Sequence, residues 1–219
     1  MKERPILFSG PMVRAILEGR KTQTRRPVKP QPPAYIDELY GGELRQRAPY
    51  QLECHESGCV LGYGFEDDDG LLYRCPFGVP GDRLWVRETF ATINRLAGCE
   101  LYRQGKDDGV RYRATWAKSH SWGWRPSIHM PRWASRITLE VVSVRVERVQ
   151  DITNNDAMAE GFDGERWLDS DGSEGRGVEP FEQFVDAWRE IYGQESLDAN
   201  QWVWVVEFKR LEQESAHAH

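Results

Sequence analysis

The residues with the clearest chemical potential lie in one short stretch, GRKTQTRRPVKP, at residues 19–30. Five of its twelve residues are Lys or Arg, and it places Lys21 three positions before Thr24. A threonine hydroxyl is a weak nucleophile until a base removes its proton. A lysine can be that base only where burial or neighbouring cations lower its pKa. The stretch therefore fits either a lysine-activated threonine or a turn whose cations only bind phosphate.

The catalytic interpretation needs a particular backbone. In a regular strand Lys21 and Thr24 would point to opposite faces, so a turn or bulge must lie between them. The preceding SGPMVRAILEG predicts a short helix with Ser9 as N-cap, Pro11 in the first turn and Gly19 as the stop. The cations would then lie in a turn that directly follows this helix.

Two later segments predict strands of a curved sheet. VPGDRLWVRETF predicts a turn followed by a strand that places Glu88 on the more apolar face, where its carboxylate needs a partner. That partner could be a structural cation or a ligand. RITLEVVSVRVERV alternates up to Val141 and then changes phase to Val142, Val144 and Val146. A slip of one residue indicates a β-bulge.

Helices and a last strand follow. DITNNDAMAEGF predicts a short helix with a capping box formed by Thr153 and Asp156, a stop at Gly161, and Glu160 in the last turn. PFEQFVDAWREIYG predicts an amphipathic helix, and QWVWVVEFKRL a central strand. Together the elements predict an α+β fold, a small curved β-sheet or barrel with peripheral helices.

The predicted domain is single and spans residues 1–211. A Pro- and Gly-rich insertion with one hairpin is expected at about residues 30–78, a loop between the last two helices, and a disordered tail at 212–219. No apolar run is long enough for a membrane span and no signal-peptide core is present, so we expect a cytoplasmic protein that contacts no membrane.

The charge distribution favours an anionic partner. Net charge is −6, yet residues 1–29 and residues 111–148 each carry eight Lys or Arg against two acids. Residues 151–200 carry fourteen acids against three Arg. If the two basic segments converge, they could bind a nucleotide or single-stranded nucleic acid. In WGWRPSIHMPRW, His129 and Arg132 would then stand at the rim of a base-binding cleft, although an ordinary core-edge cluster is the alternative.

The cysteines do not predict a metal. Cys54, His55, Cys59 and Cys75 offer ligand types for zinc, but their spacing lacks the paired C-x2-C arrangement. We expect reduced thiols, no metal and no cofactor.

Several stretches resemble the ASCH domain, a branch of the PUA-like β-barrels. They are PMVRAILEGRKTQTRR, PGDRLWVRETF, RITLEVVSVRVERVQDIT, AMAEGF and WVWVVEFKRL, and the chain looks closest to the long ASCH proteins of phages and prophages. The general ASCH signature is Gly-x-Lys-x-x-Glu-x-Arg. Gly19, Lys21 and Arg26 match it, whereas Thr24 replaces the glutamate. This departure makes the chain similar to small bacterial ASCH proteins that hydrolyse N4-acetylcytidine.

The resemblance implies a catalytic set. That group assigns catalysis to the lysine, the second threonine and a glutamate in a later helix, which correspond here to Lys21, Thr24 and Glu160. Glu88 and Asp156 compete for the glutamate's place. Thr24 would be the nucleophile, Lys21 the base and Glu160 a proton shuttle. The expected substrate contacts are Arg25, Arg26, Arg87, Glu88, His129 and Arg132.

The leading expectation is an amidohydrolase that removes an acyl group from the exocyclic amine of a modified cytosine nucleoside or nucleotide. The alternatives are a noncatalytic RNA or modified-base binding module and a metal-independent ribonuclease. The donor to the oxyanion is not identified by the sequence, although backbone N–H groups of residues 20–25 are candidates.

Overall fold

The computed structural model describes residues 1–32, 50–53, 60–66, 72–92, 109–117, 123–168 and 174–212. In these residues the strands are β1 Glu3–Leu7, β2 Gln23–Pro27, β3 Tyr50–Glu53, β4 Val60–Glu66, β5 Leu72–Arg74, β6 Arg83–Arg87, β7 Phe90–Thr92, β8 Val110–Tyr112, β9 Thr138–Arg148, β10 Glu165–Leu168, β11 Glu174–Val178 and β12 Trp202–Leu211. The α-helices are α1 Gly10–Leu17, α2 Asn154–Ala159, α3 Pro180–Tyr192 and α4 Gln194–Asp198. Four single-turn 3₁₀ helices are Arg113–Thr115, Ser127–His129, Arg132–Ala134 and Val149–Asp151.

The main sheet has five strands in the order β1-β6-β9-β12-β2. Strands β1 and β6 are parallel, and the other neighbours are antiparallel. As predicted, β12 is central, because each of its residues from Trp202 to Val206 is buried. Trp204 and Val206 join the core beneath α1, whereas Val203 and Val205 join a second core beneath α2 and α3.

The predicted bulge lies in β9. Glu207 of β12 pairs with Ser143, but the next residue, Phe208, pairs with Val141, so Val142 is the extra residue. The burial phase shifts there as a bulge requires. The prediction that Val142 begins the new buried phase was wrong, since its side chain is 48% exposed and Val144 is the first buried residue after the slip.

The chain is α+β, and its main sheet is open. Strands β1 and β2 form the two edges, and among the described residues no strand pairing joins them. The edges nevertheless approach each other, because Arg26 Nη2 of β2 donates to the carbonyl oxygen of Leu7 in β1 at 2.6 Å. A side chain therefore spans the gap that a closed barrel would fill with a backbone ladder.

The predicted helix boundaries are confirmed by their caps. Ser9 is the extended N-cap of α1, although its side chain makes no capping hydrogen bond, and Gly19 follows the helix with φ of 78°. Thr153 and Asp156 form a complete capping box at the start of α2, and Gly161 follows its end with φ of 97°. Both glycines adopt the left-handed conformation in which other residues are strained.

Two segments contain more strand than expected. The described parts of the insertion form a three-stranded antiparallel sheet, β3-β4-β5, rather than one hairpin. The segment predicted to be a loop before α3 contains the hairpin β10-β11. The expected disordered tail lies almost wholly outside the described residues. None of the described helices combines the length and the apolar character that crossing a bilayer would need.

Candidate active site

Lys21 stands in the link between α1 and β2. Its backbone N–H donates to Ala15 O at 3.1 Å, and the N–H of Thr22 donates to Ala159 O at 2.8 Å. The link is thus tied both to α1 and to the end of α2. Strand β2 begins only at Gln23, so Lys21 lies outside it. The alternation of side chains along a strand therefore does not force Lys21 and Thr24 to opposite faces.

Lys21 and Glu160 form a buried ion pair. Lys21 Nζ donates to Glu160 Oε2 at 2.6 Å and to the Glu160 carbonyl oxygen at 2.9 Å. The lysine side chain is 0% exposed and that of the glutamate 4%. The predicted lysine and glutamate therefore meet, although 139 positions separate them.

Burial lowers the pKa of Lys21. The attraction and hydrogen bond of Glu160 oppose this effect, while the positive charges of Arg26 and Arg25 add to the lowering. Two cations of the basic stretch thus lower the pKa of Lys21, whereas Arg20 pairs with Glu18 and Asp163 instead. A lysine of lowered pKa is easier to deprotonate and better suited to act as a base.

Arg25 holds the other side of Glu160. Its Nη1 lies 3.5 Å from Glu160 Oε1, and its Nη2 lies 2.8 Å from Glu147 Oε2 and 3.5 Å from Asp156 Oδ1. Its side chain is 0% exposed, and its Nε has no partner among the described residues. The guanidinium of Arg25 therefore faces carboxylates rather than solvent. The sequence predicted instead that this side chain would contact the substrate.

The network continues through residues that the sequence did not single out as site residues. Gln23 Nε2 donates to Asp156 Oδ1 at 3.1 Å, and Arg145 contacts both Asp156 and Glu147. Arg145 and Glu147 are two apart on β9, so both point to the α2 side of the sheet. Charged residues at alternate positions of a strand were the signal available for finding them.

Thr24 is buried, and it shares a small cavity with Glu160 of the Lys21–Glu160 ion pair. It lies opposite Val206 in the β12–β2 register and is 2% exposed. Its side chain lines a cavity of about 20 Å³ that Arg25, Arg26 and Glu160 also line. In the described part of the chain, the Thr24 hydroxyl makes no hydrogen bond to Lys21 or to any other group.

A larger cleft opens next to Glu160. Its volume is about 340 Å³, and its lining includes Arg14, Glu18, Arg20 and Asp163. Met12, Glu160 and Phe162 line both the cleft and the small cavity beside Thr24. A molecule in the cleft would thus contact Glu160, which also lines the cavity beside Thr24.

Gly161 allows this close packing. A Cβ on Gly161 would lie 2.8 Å from Ala15 Cβ and 3.2 Å from Lys21 Cβ. The absence of a side chain therefore lets the end of α2 approach α1 and the Lys21 link. It also brings the Gly161 carbonyl oxygen to Arg20, whose Nη1 donates to it at 2.8 Å.

Arg26 lies at the edge of the site. Its guanidinium carbon is 5.5 Å from the centre of the Phe8 ring, which Lys21 Nζ approaches to 5.6 Å from the centroid. Its Nη1 donates to Tyr192 Oη at 3.3 Å. Arg26 thus lines the cavity and also links β2 to α3.

Glu88, a competitor for the catalytic glutamate, has a different partner. Arg136 Nε and Nη2 donate to its two carboxylate oxygens at 2.8 and 3.0 Å. Burial raises the pKa of Glu88, and Arg136 opposes that rise. Glu88 lines neither the cleft nor the cavity beside Thr24, and its geometry is that of a structural ion pair.

Three other expected substrate contacts lie away from this site. Arg87 donates to the carbonyl oxygen of Ile128, His129 is exposed, and Arg132 pairs with Glu3 at 2.9 Å. None of the three lines the cleft or the cavity beside Thr24. The structure therefore does not gather them with the predicted catalytic residues.

The cysteine cluster falls mostly outside the described residues, which exclude Cys54, His55 and Cys59. Cys75 is a buried free thiol, and burial raises its pKa to about 12. Within the described ranges, no group of three His, Cys, Asp or Glu side chains is placed to hold a metal ion.

No family model matches the chain, and neither curated proteins nor solved structures give a significant match. Any assignment of function therefore depends on the sequence motifs and on the geometry of the site.

Proposed function

We propose that the chain is an ASCH-type amidohydrolase that removes an acyl group from the exocyclic amine of a modified cytosine. The observation that carries the proposal is the buried contact of 2.6 Å between Lys21 Nζ and Glu160 Oε2, beside a buried Thr24. Burying a charged pair without a structural need is costly, and such pairs with a perturbed pKa concentrate at functional sites.

The proposed fold is the PUA-like curved barrel. The bulge in β9, the mixed five-stranded sheet and the approach of its edges at Arg26 and Leu7 support it. Bulges increase the local twist that curved sheets need.

The proposed chemistry gives one role to each of the three side chains. Neutral Lys21 takes the proton of the Thr24 hydroxyl, and the oxygen attacks the acyl carbonyl carbon. The C–N bond breaks as Glu160 relays that proton from the lysine to the departing exocyclic amine. A water then hydrolyses the acyl-threonine: Lys21 takes a proton from the water and returns it to the Thr24 oxygen as the bond between that oxygen and the acyl carbon breaks, which releases a carboxylic acid.

The cleft supports a substrate of nucleoside size. Small-molecule sites commonly have volumes of roughly 300 to 1,000 Å³, and the cleft of about 340 Å³ lies at the low end of that range. Glu160, the proposed proton shuttle, is in its lining. A cytosine amine in the cleft would therefore be within reach of the residue that protonates it.

The direct test is incubation of the purified chain with N4-acetylcytidine, with cytidine release followed by chromatography. Wild type should release cytidine, and Thr24→Val and Lys21→Met should lower the rate by at least about 10²-fold. Thr22→Ala is the matched control, because Thr22 is exposed and two positions from Thr24. No cytidine from wild type, or equal loss in the control, contradicts the proposal.

A second candidate is a noncatalytic nucleic-acid binding module. The observation that favours it is the exposure of Trp133 at 69% and Ile128 at 58%, close to exposed Arg125, His129 and Arg132. Exposed aromatic rings beside cations can stack on bases while the cations contact phosphate.

Binding of labelled single-stranded RNA tests this candidate. Its affinity should fall steeply with salt and should fall further in Trp133→Ala. Phe181→Ala removes an exposed aromatic side chain from the acidic α3, away from the cleft and the cavity, and should have no effect. Binding that is absent, or that is insensitive to salt and to Trp133, would eliminate the candidate.

A further inference from the structure

The cavity beside Thr24 has the size of a single small group. Its volume is about 20 Å³, whereas holding one water needs roughly 10 to 15 Å³. It is therefore a small space, suited to a group of about the size of a methyl. The cleft beyond Glu160 is more than ten times larger, so the two spaces suit different parts of one ligand.

One wall of the cavity is an apolar stripe of α3. Phe184, Ala187, Trp188 and Ile191 recur at spacings of three and four, which places them on one helix face. The indole N–H of Trp188 donates to Ser196 Oγ at 3.0 Å, so the polar edge of the ring already has a partner outside the cavity lining. The wall is therefore suited to a hydrocarbon group rather than to a polar one.

Aromatic contacts hold this wall in place. The Trp188 ring lies 5.6 Å from that of Phe184 and 4.4 Å from that of Tyr192, measured between centroids. Stacked and tilted rings at these distances stabilise each other beyond simple burial. These contacts fix the aromatic part of the wall, so that part resists displacement by a larger group, whereas Ile191 is 52% exposed.

The cavity adjoins the cleft at shared residues. Met12, Glu160 and Phe162 line both spaces. A ligand whose base occupies the cleft would have the cavity beside Thr24 as a neighbouring space. The acyl substituent of the exocyclic amine is the part of such a ligand that would enter it.

We propose that the α3 stripe forms the acyl-binding subsite and that Ala187 and Ile191 set the largest acyl group it accepts. The inference rests on the proposed amidohydrolase function. The methyl group of an acetyl substituent fills the cavity, and its carbonyl carbon lies at the Thr24 hydroxyl. Each further methylene must displace the wall, at a cost of roughly 10- to 200-fold in kcat/KM.

A series of N4-acylcytidines tests the size limit. Wild type should prefer acetyl to propionyl and butyryl by at least about tenfold for each step, and should not process benzoyl. Ile191→Ala should reduce the preference for acetyl over propionyl. Ala187→Leu should depress acetyl turnover, whereas Glu190→Leu, an exposed change on the same helix, should leave the series unchanged. Equal kcat/KM for all acyl groups, or a preference that neither Ile191→Ala nor Ala187→Leu alters, overturns the inference.

A binding experiment separates this inference from the proposed reaction. In a Thr24→Val chain with ¹³C-labelled Met, Ala and Ile methyl groups, cytidine should shift the Met12 signal. N4-acetylcytidine should shift Met12 and also Ala187 and Ile191. If these signals shift while wild type shows no turnover, the subsite stands and the reaction fails. If wild type turns over but neither Ala187 nor Ile191 responds, the subsite is wrong.

Discussion

Lys21 Nζ lies 2.6 Å from Glu160 Oε2, and Arg25 approaches the other oxygen of the same carboxylate at 3.5 Å. The buried carboxylate of Glu160 thus contacts two buried cations. Glu160 raises the pKa of Lys21, while burial and the two arginines of β2 lower it. The protonation of Lys21 is therefore set by a balance that single substitutions can tip in either direction.

The first prediction is that two substitutions shift the pKa of Lys21 in opposite directions. Glu160→Gln removes the negative charge that raises the pKa of Lys21, so that pKa should fall further below its ordinary value. Arg26→Gln removes a positive charge that lowers it, so the pKa of Lys21 should rise. NMR titration of the lysine side chain measures both. Equal pKa values in wild type and both variants, or shifts of the same sign, would show that these charges do not control Lys21.

The second prediction compares two ion pairs. Arg136 binds Glu88, which is 2% exposed, whereas Arg132 binds Glu3, which is 38% exposed. Arg136→Ala leaves a buried carboxylate unpaired and should lower the free energy of unfolding by about 3 kcal/mol. Arg132→Ala should lower it by no more than about 1 kcal/mol. Urea unfolding at neutral pH measures both.

A double variant provides the control for that pair. Glu88→Leu with Arg136→Met removes both charges and keeps much of the volume, so it should recover part of the stability lost in Arg136→Ala. If the double variant is the less stable of the two, the Glu88 site depends on the carboxylate itself and a role beyond the ion pair must be considered.

Local signals made the helix boundaries predictable. The stop at Gly19 and the capping box of Thr153 and Asp156 involve residues that are only a few positions apart. The bulge at Val142 was also readable, because a change of phase in the apolar alternation occurs within one strand. Each of these features depends on backbone and side chains that are neighbours in sequence.

The partners of the buried charges could not be predicted in the same way. Arg25 meets Glu147 across 122 positions, and Glu88 meets Arg136 across 48. These contacts depend on which strands are neighbours and in which register, and a one-residue change would point the side chains elsewhere. Only the pairing of Lys21 with Glu160 was anticipated, and that expectation came from the resemblance to ASCH proteins.

The third prediction tests the close approach of α2 to the Lys21 link. Gly161→Ala places a Cβ within 2.8 Å of Ala15 Cβ, in addition to the strain of a positive φ. Gly19→Ala introduces similar strain at φ of 78° but meets no atom within 4 Å. Gly161→Ala should therefore cost about 1 to 3 kcal/mol more. It should also perturb the NMR signals of Lys21, which Gly19→Ala should alter less. Equal losses of stability would mean that this packing is not tight.

The fourth prediction is a pH dependence at Asp156. Burial would raise the pKa of its carboxyl, but hydrogen bonds from Thr153 and Gln23 and the charge of Arg25 outweigh burial and lower the pKa from 3.8 to about 2. Between these two values the unfolded chain binds more protons than the folded chain. The stabilisation is therefore fully present above the unfolded pKa and is lost as the pH falls through the folded pKa.

Asp156→Asn keeps a hydrogen-bond acceptor but removes the charge, so it isolates this contribution. The variant should be about 1 to 2 kcal/mol less stable than wild type at pH 7, after allowance for solvent screening. The difference should shrink as the pH is lowered towards 3, because wild type alone loses the contribution of the ionised carboxylate. Urea unfolding of both chains across this range measures it. A difference that is constant with pH would assign the loss to the capping geometry of Thr153 instead of to charge.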